Sequence, residues 1–98
     1  MIIEGMKNNM SKTIIKTIRT EVRRAFGNEY KYELIQSEAD IPLYSIKIEL
    51  KMITGSITKA ESHELFYDEH EAKTFFELLV DNLVTPINLP YVIYDELP

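Results

Sequence analysis

Two histidines and several carboxylates are the residues of this chain with the greatest capacity for chemistry. His63-Glu64, Asp68 and His70-Glu71 place two imidazoles beside acids within nine residues. Such groups can bind a divalent metal or share a proton. Their spacing differs from the His-Glu-x-x-His pattern of zinc-binding helices, and the acids have a sufficient role as helix caps. We therefore expect no catalytic residue and no metal site.

Other catalytic signatures are missing from the sequence. The chain has no cysteine, which excludes disulfides, thiolate metal sites and cysteine nucleophiles. Gly5, Gly27 and Gly55 are isolated from one another, so they do not form a phosphate-binding loop. We expect a protein that is not an enzyme and needs no cofactor.

The clearest structural signal is an amphipathic helix that starts after Asp68. Asp68 and Glu71 have the spacing of a capping box. Pro86 cannot continue a helix, so we expect the helix to end near Leu83. Apolar residues recur between these limits at steps of three and four: Ala72, Phe75, Phe76, Leu79, Val80 and Leu83.

An antiparallel hairpin is predicted before this helix. Apolar and polar residues alternate from Tyr44 to Met52, Thr54-Gly55-Ser56 is typical of a turn, and a second strand follows from Ile57 to about Phe66. A three-residue loop would place these residues opposite one another: Tyr44 and Phe66, Ile46 and Glu64, Ile48 and Ser62, Leu50 and Ala60, Met52 and Thr58. The same register sets Glu49 opposite Glu61, which is mildly repulsive.

The first third of the chain is less clear. Tyr30, Tyr32 and Leu34 alternate with charged residues, which predicts a strand. Residues 11–26 carry an apolar stripe at helical spacing but are rich in β-branched residues, which favour strands. As a strand, this segment could turn at Gly27-Asn28 and pair Phe26 with Tyr30 and Val22 with Leu34. Local pattern alone slightly favours a helix.

A short helix is predicted at the end of the chain. Asn88 can cap it and Pro90 fits its first turn. Val92, Ile93 and Leu97 would then face inward. These elements predict an α+β fold: a three- or four-stranded antiparallel meander packed by one main amphipathic helix and a short C-terminal helix.

The 98 residues are 45% apolar and 28% charged, as expected of one folded domain. We expect residues 1–10 to be a flexible lead and residues 11–98 to form a single domain. Neither a membrane-spanning run nor a secretory signal is visible, so we expect a cytoplasmic protein without a membrane partner.

Charge divides unevenly along the chain. Seven Lys/Arg against three Glu give residues 1–32 a net charge of +4, and four Lys against thirteen acids give residues 33–98 a net charge of −9. The asymmetry fits a charged partner, head-to-tail self-association or an ordinary solvated surface. Tyrosines are frequent at interfaces, whereas Tyr30, Tyr32, Tyr44 and Phe66 are expected in the core rather than on a base-stacking platform. The candidate interaction surface is Lys16, Arg19, Arg23, Arg24, Tyr67, Tyr91 and Tyr94.

The C-terminal two thirds resemble a known family. The run Tyr44-Ser45-Ile46-Lys47-Ile48, the helix after Asp68 and the ending Val92-Ile93-Tyr94-Asp95-Glu96-Leu97 are similar to small, uncharacterised proteins of clostridia and related Firmicutes. The resemblance covers about residues 28–97 and implies no activity. It does imply that residues 11–26 form a strand, because similar proteins open with a hairpin.

These observations favour a non-enzymatic protein that acts through protein–protein contact and is able to form a homo-oligomer. A nucleic-acid accessory factor using the basic N-terminal segment is the alternative, although the net charge of −5 disfavours it. A metal-dependent enzyme using His63 and His70 is the least favoured.

Overall fold

The computed structural model describes residues 14–38, 41–63 and 65–97, so the predicted lead at residues 1–10 lies outside the described part. The four strands form one antiparallel sheet in sequence order, and the main helix packs on it. The predicted α+β meander with a main and a short C-terminal helix is confirmed. Its elements are β1 (Ile14–Ala25), β2 (Asn28–Glu38), β3 (Leu43–Lys51), β4 (Ile57–Glu61), α1 (Glu69–Asp81) and α2 (Leu89–Glu96).

The ambiguous N-terminal segment is the edge strand β1. The strand alternative is correct, but its predicted register is wrong. Val22 pairs with Lys31 and Arg23 with Tyr30, because the turn consists of Phe26 and Gly27 rather than Gly27 and Asn28. Backbone pairing with β2 thus overrides the local preference for a helix that the spacing of the apolar residues indicates.

The core lies between α1 and one face of the sheet. All five buried residues of α1 belong to the predicted apolar stripe: Ala72, Phe75, Phe76, Leu79 and Val80. The sheet contributes alternating residues of its two central strands: Tyr30, Tyr32, Leu34, Tyr44, Ile46, Ile48 and Leu50. Tyr30, Tyr32, Tyr44 and Phe66 are at most 8% exposed. These four residues therefore belong to the core and offer no platform for nucleic-acid bases.

The opposite face of the sheet is ionic. Each charged residue on this face lies across from an opposite charge on the neighbouring strand, which favours this alignment of the strands. The cross-strand pairs are Glu29 and Lys51, Lys31 and Glu49, Glu33 and Lys47, Lys47 and Glu61, and Glu49 and Lys59.

The predicted register of the β3–β4 hairpin is wrong by two residues. Leu50 lies opposite Thr58 rather than Ala60, and Glu49 opposite Lys59 rather than Glu61. The loop has three residues, as predicted, but it begins one residue earlier. The Met52 amide donates to the Ser56 carbonyl at 2.8 Å, and Gly55 adopts a positive φ of 97°. The observed register replaces the predicted glutamate repulsion with an attraction.

The pairing of Tyr44 with Phe66 is nevertheless correct. The register of the β3–β4 hairpin changes to that of the Tyr44–Phe66 pair near Ser62. The Ser62 hydroxyl accepts a hydrogen bond from the Ile46 amide at 2.9 Å. Ile46 therefore lies opposite Ser62. Its predicted partner, Glu64, lies outside the described residues. The Ser62 hydroxyl thus accepts the Ile46 amide hydrogen bond that a backbone carbonyl would accept in a regular antiparallel ladder.

Both ends of α1 are defined by hydrogen bonds. Asp68 accepts from the Glu71 amide at 2.9 Å, which confirms the predicted cap. The helix ends at Asp81, two residues before the predicted Leu83. Leu83 has a φ of 50°, and the Val84 amide donates to the Leu79 carbonyl at 3.1 Å. This is a Schellman motif with leucine at the position usually held by glycine.

The short helix α2 forms where predicted, but the predicted cap does not. Asn88 has a helical backbone and makes no capping side-chain bond; its amide instead donates to the Thr85 hydroxyl at 3.3 Å. Leu89 is buried, whereas Val92, Ile93 and Leu97 are half-buried against the core. Within the described residues, neither helix is long and apolar enough to cross a membrane.

We predict that Tyr32→Phe lowers the free energy of unfolding by about 1–3 kcal/mol, because it leaves a buried carbonyl without its donor. The Tyr32 hydroxyl donates to the Val84 carbonyl at 3.0 Å, and burial raises the Tyr32 pKa from 10.0 to about 12. The unfolded phenol thus ionises first, so this contribution is complete below pH 10 and declines as the pH rises to about 12.

Urea unfolding of both proteins across this pH range measures the difference. Tyr94→Phe is the matched control, since Tyr94 is 85% exposed and its substitution should be neutral. A difference between wild type and Tyr32→Phe that stays constant between pH 10 and 12 would contradict the prediction.

Candidate protein-interaction surface

The basic side chain of Arg19 joins the edge strand to the main helix. Its guanidinium donates to the Glu77 carboxylate at 2.9 Å and lies 5.4 Å from the centre of the Phe76 ring. The hydrogen bond to Glu77 raises the Arg19 pKa. Arg19 therefore contributes to the packing of β1 against α1.

The other predicted basic residues do not form one surface. Arg23 bonds Glu21 at 2.9 Å, and this contact is the main reason that the Glu21 pKa is lowered. Arg24 bonds Glu29 at 2.9 Å on the opposite face of the sheet. Lys16 is exposed farther along β1. Acids on both faces thus offset most of the positive charge of this strand.

The three predicted tyrosines are exposed, at 73% for Tyr67, 68% for Tyr91 and 85% for Tyr94. Tyr91 and Tyr94 lie three residues apart and so share one side of α2. Helix α2 lies beside β4 through Leu89, at the sheet edge opposite β1. The structure therefore separates Tyr91 and Tyr94 from the basic residues of β1 with which the prediction grouped them.

Both histidines are exposed. His63 follows β4, and His70 lies in the first turn of α1 beside the carboxylate-rich helix start. In residues 14–38, 41–63 and 65–97, no three His, Asp or Glu side chains converge as metal ligands would.

A surface that the sequence analysis missed lies where the two hairpin turns meet. We define the hairpin-end surface as Phe26, Met52, Ile53 and Ile57, which are respectively 86%, 39%, 77% and 53% exposed. The two turns are tied together, because the Asn28 side chain accepts a hydrogen bond from the Ile53 amide at 3.0 Å. A shallow depression of about 540 Å³ lies beside this contact.

Phe26 is the most unusual residue of this surface. Phe26 and Gly27 have φ values of 56° and 79°, and they connect the paired residues Ala25 and Asn28. Positive φ at both central positions makes this a type I′ turn, for which Asn-Gly is preferred. A phenylalanine in the left-handed region is strained by about 1–2 kcal/mol.

The second non-glycine residue with positive φ in the described chain makes the contrast clear. Leu83 also has a positive φ, but its side chain packs half-buried against the core and its amide bonds the Val80 carbonyl. Phe26 directs its ring into solvent and gains no comparable burial. The strain at Phe26 is therefore not offset by burial of its side chain.

One sequence signal could have revealed this surface. Phe26-Gly27 is a residue followed by glycine, and it lies between two predicted strands once residues 11–26 are assigned to a strand. Such a pair fits a type I′ turn. The helical alternative concealed it, because a helix would have placed Phe26 on an apolar stripe.

We predict that Phe26→Asn stabilises the protein by about 1 kcal/mol, because asparagine tolerates the left-handed conformation and little apolar burial is lost. For a domain of this size the melting temperature should rise by about 4–8 °C. Differential scanning calorimetry measures the shift.

Two controls accompany this substitution. Gly27→Ala should destabilise, since its φ is 79° and the added Cβ would lie 3.0 Å from the Ile53 Cδ1 atom. Tyr94→Asn removes an equally exposed aromatic ring from a helix and should not stabilise. A melting temperature of Phe26→Asn at or below that of the wild type would disprove the strain at this turn.

A family of unknown function, DUF6514, matches residues 11–97, which include all four strands and both helices. No curated protein and no solved structure matches the chain. The chain therefore belongs to the DUF6514 family, whose function is not known.

Proposed function

We propose that this protein is a non-enzymatic module that acts in the cytoplasm by binding another protein through its hairpin-end surface. The observation that carries the proposal is Phe26, a strained aromatic residue that is 86% exposed. Residues with strained backbones cluster at functional positions. Phenylalanine and methionine are also enriched at protein interfaces.

The neighbouring side chains support a binding role. Ile53 extends the apolar area around Phe26, and Ile57 is exposed at the start of β4. Lys51 and Arg24, which pairs with Glu29, lie beside the Phe26 turn. An aromatic anchor with a charged rim is the usual arrangement of an interface hot spot. The hydrogen bond between Asn28 and Ile53 holds the two turns together, so binding would order little new structure.

A nucleic-acid role has less support. Arg19, Arg23 and Arg24 each bond a carboxylate, so these side chains are not freely available to phosphate. A phosphate-binding role would require those pairs to break. Association through β1 should in that case be detectable at low salt and weaken steeply as salt rises.

Affinity capture from the native cell tests the proposal. Wild type, Phe26→Asn and the control Tyr94→Asn serve as baits, and captured proteins are identified by mass spectrometry. We expect at least one protein that is captured by wild type and Tyr94→Asn but lost with Phe26→Asn, because only that variant lacks the anchor. The calorimetry above ensures that such a loss is not due to misfolding.

The opposite result is equally informative. Identical sets of captured proteins from all three baits would remove the hairpin-end surface from the function of this chain.

A further inference from the structure

We propose that the hairpin-end surface of one copy binds a groove between α1 and α2 of a second copy, so that the chains associate head to tail. This inference rests on the proposed function and names its partner as the same chain. It is carried by the fit between two separate surfaces of one molecule.

The receiving groove has an apolar floor and an acidic rim. We call it the helix groove and define it by the floor residues Phe66, Phe75, Leu78 and Leu97 and the rim residues Glu71 and Glu96. Its volume is about 520 Å³, which is in the range of sites that accept a buried group of several heavy atoms. Leu78 and Leu97 are only half-buried, so the groove leaves apolar surface uncovered.

The floor suits an aromatic knob. The Phe66 and Phe75 rings lie 5.5 Å apart with an angle of 51° between their planes. Both rings are buried, at 8% and 6% exposed, so a ring that enters the groove packs mainly on the half-buried side chains of Leu78 and Leu97. Phe26 presents such a ring at the projecting end of a hairpin.

The charges of the two surfaces are complementary. Arg24 and Lys51 flank Phe26, and Glu29 offsets one of them. Glu71 and Glu96 stand on the rim of the helix groove and are exposed. Opposite charges that surround an apolar contact steer the encounter and fix its orientation. A basic knob and an acidic groove thus fit each other, whereas either surface would repel its own copy.

One molecule cannot make this contact with itself. The groove residue Phe66 pairs with Tyr44 at the start of β3, whereas Lys51 ends β3 beside the hairpin turns. Seven residues of extended chain separate these positions by about 23 Å. The contact therefore joins two molecules through different surfaces, which produces rings or open chains rather than a two-fold dimer.

Two variants separate the two halves of the interface. Phe26→Asn removes the knob and leaves the groove intact. Thr74→Arg fills the groove with a bulky cation and leaves the knob intact; Thr74 is an exposed lining residue of α1, so its substitution should not impair folding. Tyr94→Asn belongs to neither surface and is the matched control. Circular dichroism confirms that each variant is folded.

Sedimentation equilibrium of the purified chains measures association. We expect the average mass of wild type and Tyr94→Asn to rise with concentration, and each of the other variants alone to associate about 30-fold more weakly. An equimolar mixture of Phe26→Asn and Thr74→Arg retains one intact knob and one intact groove. It should therefore form a one-to-one dimer and nothing larger.

Three results would overturn the inference: a monomeric wild type, a variant that associates as well as wild type, or a mixture that remains monomeric. These results leave the proposed function standing if capture from the native cell still depends on Phe26. Loss of that dependence would overturn the proposed function as well.

Discussion

The two-residue turn at Phe26 and Gly27 is the constraint on which the arrangement of β1 depends. Its positive φ angles pair Ala25 with Asn28, and this pairing determines which side chains face the helix between Arg19 and Ala25. An irregularity between Thr17 and Arg19 shifts the register of the residues before it. A shift of one residue in a strand would reverse the two faces. In the observed register Arg19 reaches Glu77, so a local backbone conformation fixes a contact between residues 58 positions apart.

The packing of α1 then accounts for the rest of the core. Phe76 and Leu79 are fully buried against the central strands, and the hydroxyl of Tyr32 bonds the carbonyl of Val84 just beyond the helix. One apolar layer lies between one sheet face and one helix, while the other sheet face is ionic. The apolar groups that remain exposed therefore concentrate at the ends of the molecule, where the hairpin turns and the C-terminal segment lie.

How much the sequence predicts depends on how local each signal is. The cap at Asp68 and the apolar stripe of α1 involve residues within one helix, and both are observed as predicted. The alternation of β2 and β3 is equally local. The hairpin registers depend on whether a particular residue adopts positive φ, and composition does not determine this when Phe26 occupies a position that favours asparagine. The hairpin-end surface exists only in the correct register, so the Phe26-Gly27 pair reveals it only once residues 11–26 are assigned to a strand.

The ionic face of the sheet has an electrical consequence. The pairs between β2, β3 and β4 involve four lysines and four glutamates, whose charges cancel, and Arg24 of β1 adds one positive charge to this face. The uneven charge of the chain lies in other elements. Seven acids and one lysine occupy positions 68–96, while β1 has four basic residues and one acid. Charge is therefore unevenly distributed over the described residues: the helices are net negative, and the residues of the edge strand are net positive before their pairing with neighbouring acids. Two diffusing copies would orient each other before contact, to an extent that falls as added salt shortens the Debye length.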